Sequence, residues 1–440
     1  MPVLELKSQS SLWTRRQLLA ASAGLPALAY AGDPPPWEEL SGFADGAAAD
    51  FSISNATVLD HQGRVLKGAG VRIEGARIVE VSTQVSGGID FGGDWLVPGF
   101  TDACSRLGLA EIGAEKSTVD QGDKPAVTPD ARAVDGYNPM AAAIAVTRVA
   151  GITHSVVCPT MGRLVPGQAA LIRTAGRTLD EAVLRAPVAL CVSMARPTQG
   201  DGAPSTRIGT ARMLRELIHQ APDPQPEEAE GPRWRRAKAP TPPPDDLSPG
   251  DKVLRQVRER RLKVLVHAER ADDIERALDW LADSELDGVL LGCAEGWMVA
   301  DLLADAAWPV VLGPLMVQPD SFAHPHARYD NAAILHQAGV QLALGTRANH
   351  MSRDLRTDTG VLVAHGLPWE AAIEALTVGA ANAYSISSLG RMEAGGRASF
   401  FRCTGDPLQP RSRVKAVWIG GRSCSLKTRQ SELYERFKEL

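Results

Sequence analysis

The middle of this 440-residue chain alternates short apolar runs with helical patterns, while both ends read as short strands punctuated by glycine. Its composition, 44% hydrophobic and 22% charged, is that of a packed globular protein. Together these observations predict an α/β fold: a (β/α)8 barrel of the TIM type plus a small β-sandwich domain formed from the N- and C-terminal segments.

The elements follow in order. Thr14-Arg15-Arg16-Gln17-Leu18-Leu19 sets two arginines before an uncharged stretch that ends in Ala29-Tyr30-Ala31. A basic region, a short apolar core and an Ala-x-Ala site describe a signal peptide over 1–31, and the paired arginines match the twin-arginine class, whose passengers cross the membrane folded. The stretch is too short and too rich in Ala and Gly to persist as a membrane span. Residues 32–50, with Asp33-Pro34-Pro35-Pro36, read as a linker. The expectation is an exported, periplasmic protein, cleaved near Ala31, with no integral membrane segment after processing.

Phe51–Leu59, Gly70–Glu74 and Arg77–Val81 read as strands, with a turn at His61-Gln62-Gly63. The same texture returns in Ala398–Cys403 and Val414–Gly420. Segments 51–95 and 390–424 are therefore expected to pair into one β-domain around a barrel of residues 96–389. Barrel strands are expected at Phe100–Ala103, Ile152–Cys158, Ala169–Thr174, Pro187–Val192, Leu262–His267, Gly288–Gly292, Pro309–Leu312 and Val340–Gly345. Most are β-branched or continuously apolar, as in a parallel sheet covered on both faces. Residues 196–250, with Pro240-Thr241-Pro242-Pro243-Pro244, read as a Pro- and charge-rich surface insertion between strands four and five. Residues 425–440 read as a C-terminal helix or tail.

Forty-seven Lys and Arg stand against 52 Asp and Glu, so no global field draws the chain to nucleic acid or anionic lipid. Six cysteines, at 104, 158, 191, 293, 403 and 424, lack CxxC spacing and read mostly as buried small hydrophobes. In an oxidising compartment disulfides are open to them.

Leu96-Val97-Pro98-Gly99-Phe100-Thr101-Asp102-Ala103 begins a series of motifs that continues with Gly167-Gln168, His267-Ala268-Glu269 and Leu344-Gly345-Thr346. Ala375-Leu376-Thr377-Val378-Gly379-Ala380-Ala381-Asn382, Leu389-Gly390-Arg391 and Gly405-Asp406-Pro407 complete it. Over residues 51 to 424 the chain resembles the amidohydrolase superfamily, in its imidazolonepropionase-like and dihydroorotase-like branches. The resemblance implies hydrolysis of non-peptide C–N bonds by one or two divalent metals that polarise a carbonyl and acidify a bound water. It also implies a ligand set: His-x-His after strand one, one His after each of strands five and six, and an Asp after strand eight as ligand and base. Some members add a carboxylated Lys or a Glu at strand four.

At those positions this chain has Cys104-Ser105-Arg106, His267, Cys293 and Arg347, with no Lys or Glu between Val188 and Met194. A guanidinium is always cationic and has no free lone pair, so Arg106 and Arg347 cannot coordinate a metal. With the aspartate replaced, the usual general base is gone too.

Three readings of this altered centre stay open. In a pseudoenzyme, the two arginines fill the metal's space with acidic partners among Glu111, Glu269 and Glu295, as a structural plug or as forks for a small anionic ligand. In a rebuilt zinc centre, Cys104, His267 and Cys293 are ligands with one open position. In the third, Cys104 and Cys293 form a disulfide, or Cys104 is a nucleophile with His267 as its base. The other histidines have bland readings: His324 and His326 face solvent from a loop, His350 lies near the mouth, and His365 ends a helix.

The resulting expectation is a non-catalytic binding or partner subunit, as a homo-oligomer or a hetero-oligomer with an active amidohydrolase, with no metal or cofactor. The alternative is a divergent C–N hydrolase with a zinc-bearing Cys/His centre.

Overall fold

Two eight-stranded sheets organise the computed structural model, which describes residues 48–195, 199–223, 247–315, 325–387 and 389–438. The expected signal peptide, the linker up to residue 47, and His324 lie outside the described residues.

The N-terminal strands are β1 (Phe51–Leu59), β2 (Val65–Glu74), β3 (Arg77–Ser82), β4 (Ile89–Asp90) and β5 (Trp95–Pro98). The barrel strands are β6 (Phe100–Ser105), β7 (Ile152–Val157), β8 (Gly167–Arg173), β9 (Val183–Ser193), β10 (Lys263–Ala268), β11 (Gly288–Gly292), β12 (Val310–Leu312) and β13 (Leu342–Leu344). The C-terminal strands are β14 (Phe400–Cys403), β15 (Val414–Ile419) and β16 (Arg422–Cys424).

Both chain ends build the first sheet, in the order β16-β15-β14-β5-β1-β2-β3, with β4 alongside β1. The join is β5, parallel to β1 and antiparallel to β14, where Val97 faces Phe401. Phe51 on β1 and Trp418 on β15 lie three strand steps apart, about 14 Å in a flat sheet. Their rings nevertheless stack at 6.1 Å, so the sheet curls until its halves face each other across Ile53, Leu96 and Phe400. The sandwich is one continuous sheet.

β6 to β13 follow one another around the barrel in chain order. Side chains alternate between its two faces. Leu265, Leu291, Val311 and Ala343 point inward with Cys104, Cys158 and Cys191, while Val264, Leu290, Val310 and Leu344 pack against the helices. Among the described residues no ladder joins β13 to β6, but two backbone bonds close the mouth. Arg347 N donates to Cys104 O at 2.7 Å, and Arg106 N donates to Ala348 O at 2.8 Å.

Two expectations need correction. β8 runs antiparallel to both β7 and β9, so the sheet is not uniformly parallel. The links at 158–166 and 174–182 hold no crossover helix, only the single turn Leu179–Ala182, and short links join antiparallel neighbours. Second, the span 196–250 is not all surface insertion, because Arg207–Gln220 is a helix. Thr206 caps it by accepting from Gly209 N at 3.1 Å, Leu214 is fully buried, and Arg207 grips buried Asp273 at 2.6 and 3.0 Å. The Pro-rich stretch itself, 224–246, lies outside the described residues.

Near the C-terminus, Arg429–Phe437 forms a helix with a Thr428–Ser431 capping box. Among the described residues no helix is long and apolar enough to cross a membrane.

Candidate functional site at the barrel mouth

A cavity of about 470 Å³ opens among the C-terminal ends of the strands, lined in part by Cys104, Arg106, Cys158, Glu269, Asn331 and Arg347. This is the end of such barrels where loops carry chemistry.

His267 continues the inward series two residues after Leu265. It lies opposite Ser193 in the parallel register, and its Nδ1 is 3.2 Å from the Ser193 hydroxyl. Its Nε2 lies 2.8 Å from Glu269 Oε1. Burial, and then the charge of Arg347, lower the His267 pKa, so the ring is neutral. An ionised carboxylate only accepts, which assigns the proton to Nε2 and leaves Nδ1 accepting from Ser193.

Glu269 is the next inward residue and is 7% exposed. Burial alone would push its carboxyl up, but Arg347 above all, then His267, outweigh that and hold the pKa at about 2. The Arg347 guanidinium bonds Glu269 Oε1 directly, and Ala294 N donates to Oε2 at 3.3 Å. A glycine makes room for this carboxylate: a Cβ on Gly292 would stand 2.7 Å from the Glu269 carboxyl carbon.

Arg347 also donates to Gly313 O at 3.2 Å, and its own carbonyl accepts from Arg106 Nε at 2.8 Å. Arg106 reaches Gln121 Oε1 at 3.3 Å. Burial, then the neighbouring Arg347, lower the pKa of Arg106. Beneath them Asp102 is fully buried, accepting from Thr346 N at 3.0 Å and from Thr346 Oγ1 at 2.5 Å. Burial raises its pKa to about 7 despite those bonds.

Of the three acids named as counter-ions, Glu269 alone meets an arginine of the mouth. Glu295 accepts from Ala271 N and His326 N at 3.2 Å each, and Glu111 accepts from Ala142 N at the start of a helix. His326 and His350 are exposed, and His365 stacks on Tyr329 at 4.8 Å.

The cysteines do not assemble as the zinc or disulfide readings require. Cys104 belongs to the barrel interior and is pushed up in pKa first by its contact with Cys158, then by burial. Cys293 would share that interior if the alternation after Leu291 continued. It does not: φ is +94° at Gly292 and +50° at Cys293, and the turn sends the sulfur into the helix-side layer near Leu303 and Leu335. Both cysteines are free and buried. A thiol–His267 base pair is missing as well, because both ring nitrogens are engaged.

These residues do not fit the divalent metal that the fold implies. The one ring lone pair of neutral His267 is taken by the Ser193 hydroxyl, a guanidinium occupies the mouth, and Cys293 points away. Among the described residues no group of three His, Cys, Asp or Glu is disposed to hold a metal ion. Both Cys293 and Arg347 adopt left-handed backbone, which costs a non-glycine residue about 1–2 kcal/mol. Sequence reasoning missed Ser193, Gln121 and Asn331. Ser193 alone carried a signal, as the residue that follows the expected fourth strand.

Neither a protein-family model nor a curated protein sequence matches the chain. Among solved structures, an amidohydrolase from Thermotoga maritima MSB8 is 25% identical, with 84% of this chain and 98% of that one covered at a TM-score of 0.75. An Xaa-Pro dipeptidase with methionine in its active site is 15% identical, covering 86% of this chain and 100% of its own, with a TM-score of 0.56. A triazine hydrolase variant, 15% identical over 89% of this chain and 98% of its own, has a TM-score of 0.51. By its eight-stranded barrel, its β-domain of both chain ends and its likeness to the Thermotoga protein, the chain belongs to the amidohydrolase superfamily.

Proposed function

We propose that this protein is a non-catalytic member of the superfamily, exported by a twin-arginine leader, whose barrel mouth binds instead of hydrolysing. One observation carries the reading: His267, Glu269 and Arg347 form a closed chain of hydrogen bonds at the mouth. Its imidazole and carboxylate are fully engaged. The imidazole is held by Ser193 and Glu269, and the carboxylate takes three donors, with a pKa of about 2 that makes it a poor base near neutral pH. Two guanidiniums beside it oppose a divalent cation.

The test is an elemental analysis of the purified protein, followed by a panel of cyclic amides assayed with and without added zinc. Metal well below one equivalent and no zinc-dependent turnover are expected. Equimolar metal that is lost on His267→Ala, or zinc-dependent hydrolysis, overturns the reading. Export is tested separately, by N-terminal sequencing of periplasmic material, where a start just after Ala31 is expected. A role as partner of an active amidohydrolase is tested by its co-purification with such a relative; isolation only as free protein would speak against it.

A further inference from the structure

The mouth carries more positive charge than its own residues neutralise. Arg106 and Arg347 line the cavity with Glu269, and Glu269 is taken up by Arg347 and His267. At the rim, Arg328 closes on Asp330 at 2.5 Å and lies 4.6 Å over the Trp297 ring. Arg106 therefore has no carboxylate partner among the described residues.

Its geometry suits one from outside. Of five guanidinium N–H groups, Nε–H goes to Arg347 O at 2.8 Å and one Nη1 hydrogen goes to Gln121 at 3.3 Å. Three are left, both Nη2 hydrogens among them, enough for a two-pronged bond to a carboxylate. A half-buried cation without a counter-ion is costly, and an incoming anion relieves that cost.

A second group on the same cavity asks for the opposite partner. Asn331 is 6% exposed, and its Nδ2 donates to Cys293 O at 2.9 Å. That bond leaves Oδ1 without a donor, and because the oxygen is closed off as it stands, a ligand N–H meets it only when the side chain turns toward the cavity. Such a group costs about 1–3 kcal/mol unless a donor reaches it. The same cavity wall includes Cys104, Cys158, Met161 and Leu362, which suits a short apolar body.

We propose that the mouth binds a small carboxylate that also bears an N–H group, with the carboxylate on the Arg106 guanidinium and the N–H on the Asn331 side-chain oxygen. The inference rests on the reading of the mouth as a binding site. It moves the anchoring charge onto a residue that stands where the superfamily expects a metal ligand.

Calorimetric titration of the mature protein with three probes tests it. N-acetyl-L-leucine has both groups, N-acetyl-L-leucinamide lacks the carboxylate, and 4-methylpentanoate lacks the N–H. The acid is expected to bind, the amide about ten- to a hundredfold more weakly, and 4-methylpentanoate about tenfold more weakly. Arg106→Gln is expected to remove the preference for acid over amide, and Arg106→Lys, which keeps the charge but not the fork, to retain part of it. Circular dichroism identifies any variant that fails to fold. Equal affinity for acid and amide, the same preference in a folded Arg106→Gln, or no binding of any probe by the folded protein overturns the proposal. None of those results restores hydrolysis, whereas zinc-dependent turnover overturns the non-catalytic reading whatever binds.

Discussion

Replacing Arg347 by Met removes the cation from buried Glu269 while keeping most of the stem's volume. Glu269 sits at about 2 against an ordinary 4.5, a displacement worth about 3 kcal/mol at about 1.36 kcal/mol per pKa unit. That displacement is the net of burial against Arg347 first and His267 second, and breaking a buried pair from one side costs about 3–5 kcal/mol, the same order. The pH dependence supplies a sharper reading. In the wild type His267 is held neutral, its folded pKa below the unfolded one, so its contribution to stability falls as pH drops through the unfolded value. In Arg347→Met the imidazole faces an uncompensated carboxylate while burial still opposes its charge, so its folded pKa rises and the loss over the same interval shrinks. Urea unfolding followed by tryptophan fluorescence should show the variant about 3 kcal/mol less stable near pH 8, with part of the loss recovered near pH 6. A difference under about 0.5 kcal/mol near pH 8, or parallel slopes in the two proteins, would refute the ion-chain account.

Further outcomes are expected elsewhere. Gly292→Ala should lower stability by about 2 kcal/mol or more in scanning calorimetry, since the new methyl meets a pinned carboxylate and φ there is +94°. Asp102 has a raised pKa, so its stability contribution is full below its unfolded pKa of about 3.8 and lost as pH rises through about 7. Asp102→Asn should remove that loss, flattening the stability profile between those limits in urea titrations at stepped pH. All six cysteines are free and buried, so a thiol reagent should find almost none in the native protein and six after denaturation without reductant. Fewer than six would indicate a disulfide.

The barrel was legible because continuous apolar runs mark strands covered on both faces, and all eight were recognisable from that pattern. The direction of β8 was not, since hydrophobicity is blind to strand polarity; only the shortness of 158–166 and 174–182 hinted at it. The Arg207–Gln220 helix was obscured by its neighbours' prolines, although Leu214 and Leu217 carry its packed side. At the mouth, a two-residue step from Leu265 to His267 to Glu269 makes the inward series readable. The same step from Leu291 to Cys293 misleads, because a glycine in the sequence does not announce a φ of +94°. Glu269 could be told from Glu111 and Glu295 only once it was known which backbone N–H groups the other two satisfy.

The position of β5 has a consequence for the order of events at the ribosome. β1 to β5 emerge early, yet the side of β5 that will meet β14 must wait until Phe400–Cys403 has been translated. During that interval a strand edge stands unpaired, and open edges recruit other strands. A route that threads the chain outward as it is made would carry this gap across the membrane. The leader proposed above, of the class that admits folded passengers, would let the cytosol hold the chain until the last strands arrive and the edge is shut before transit.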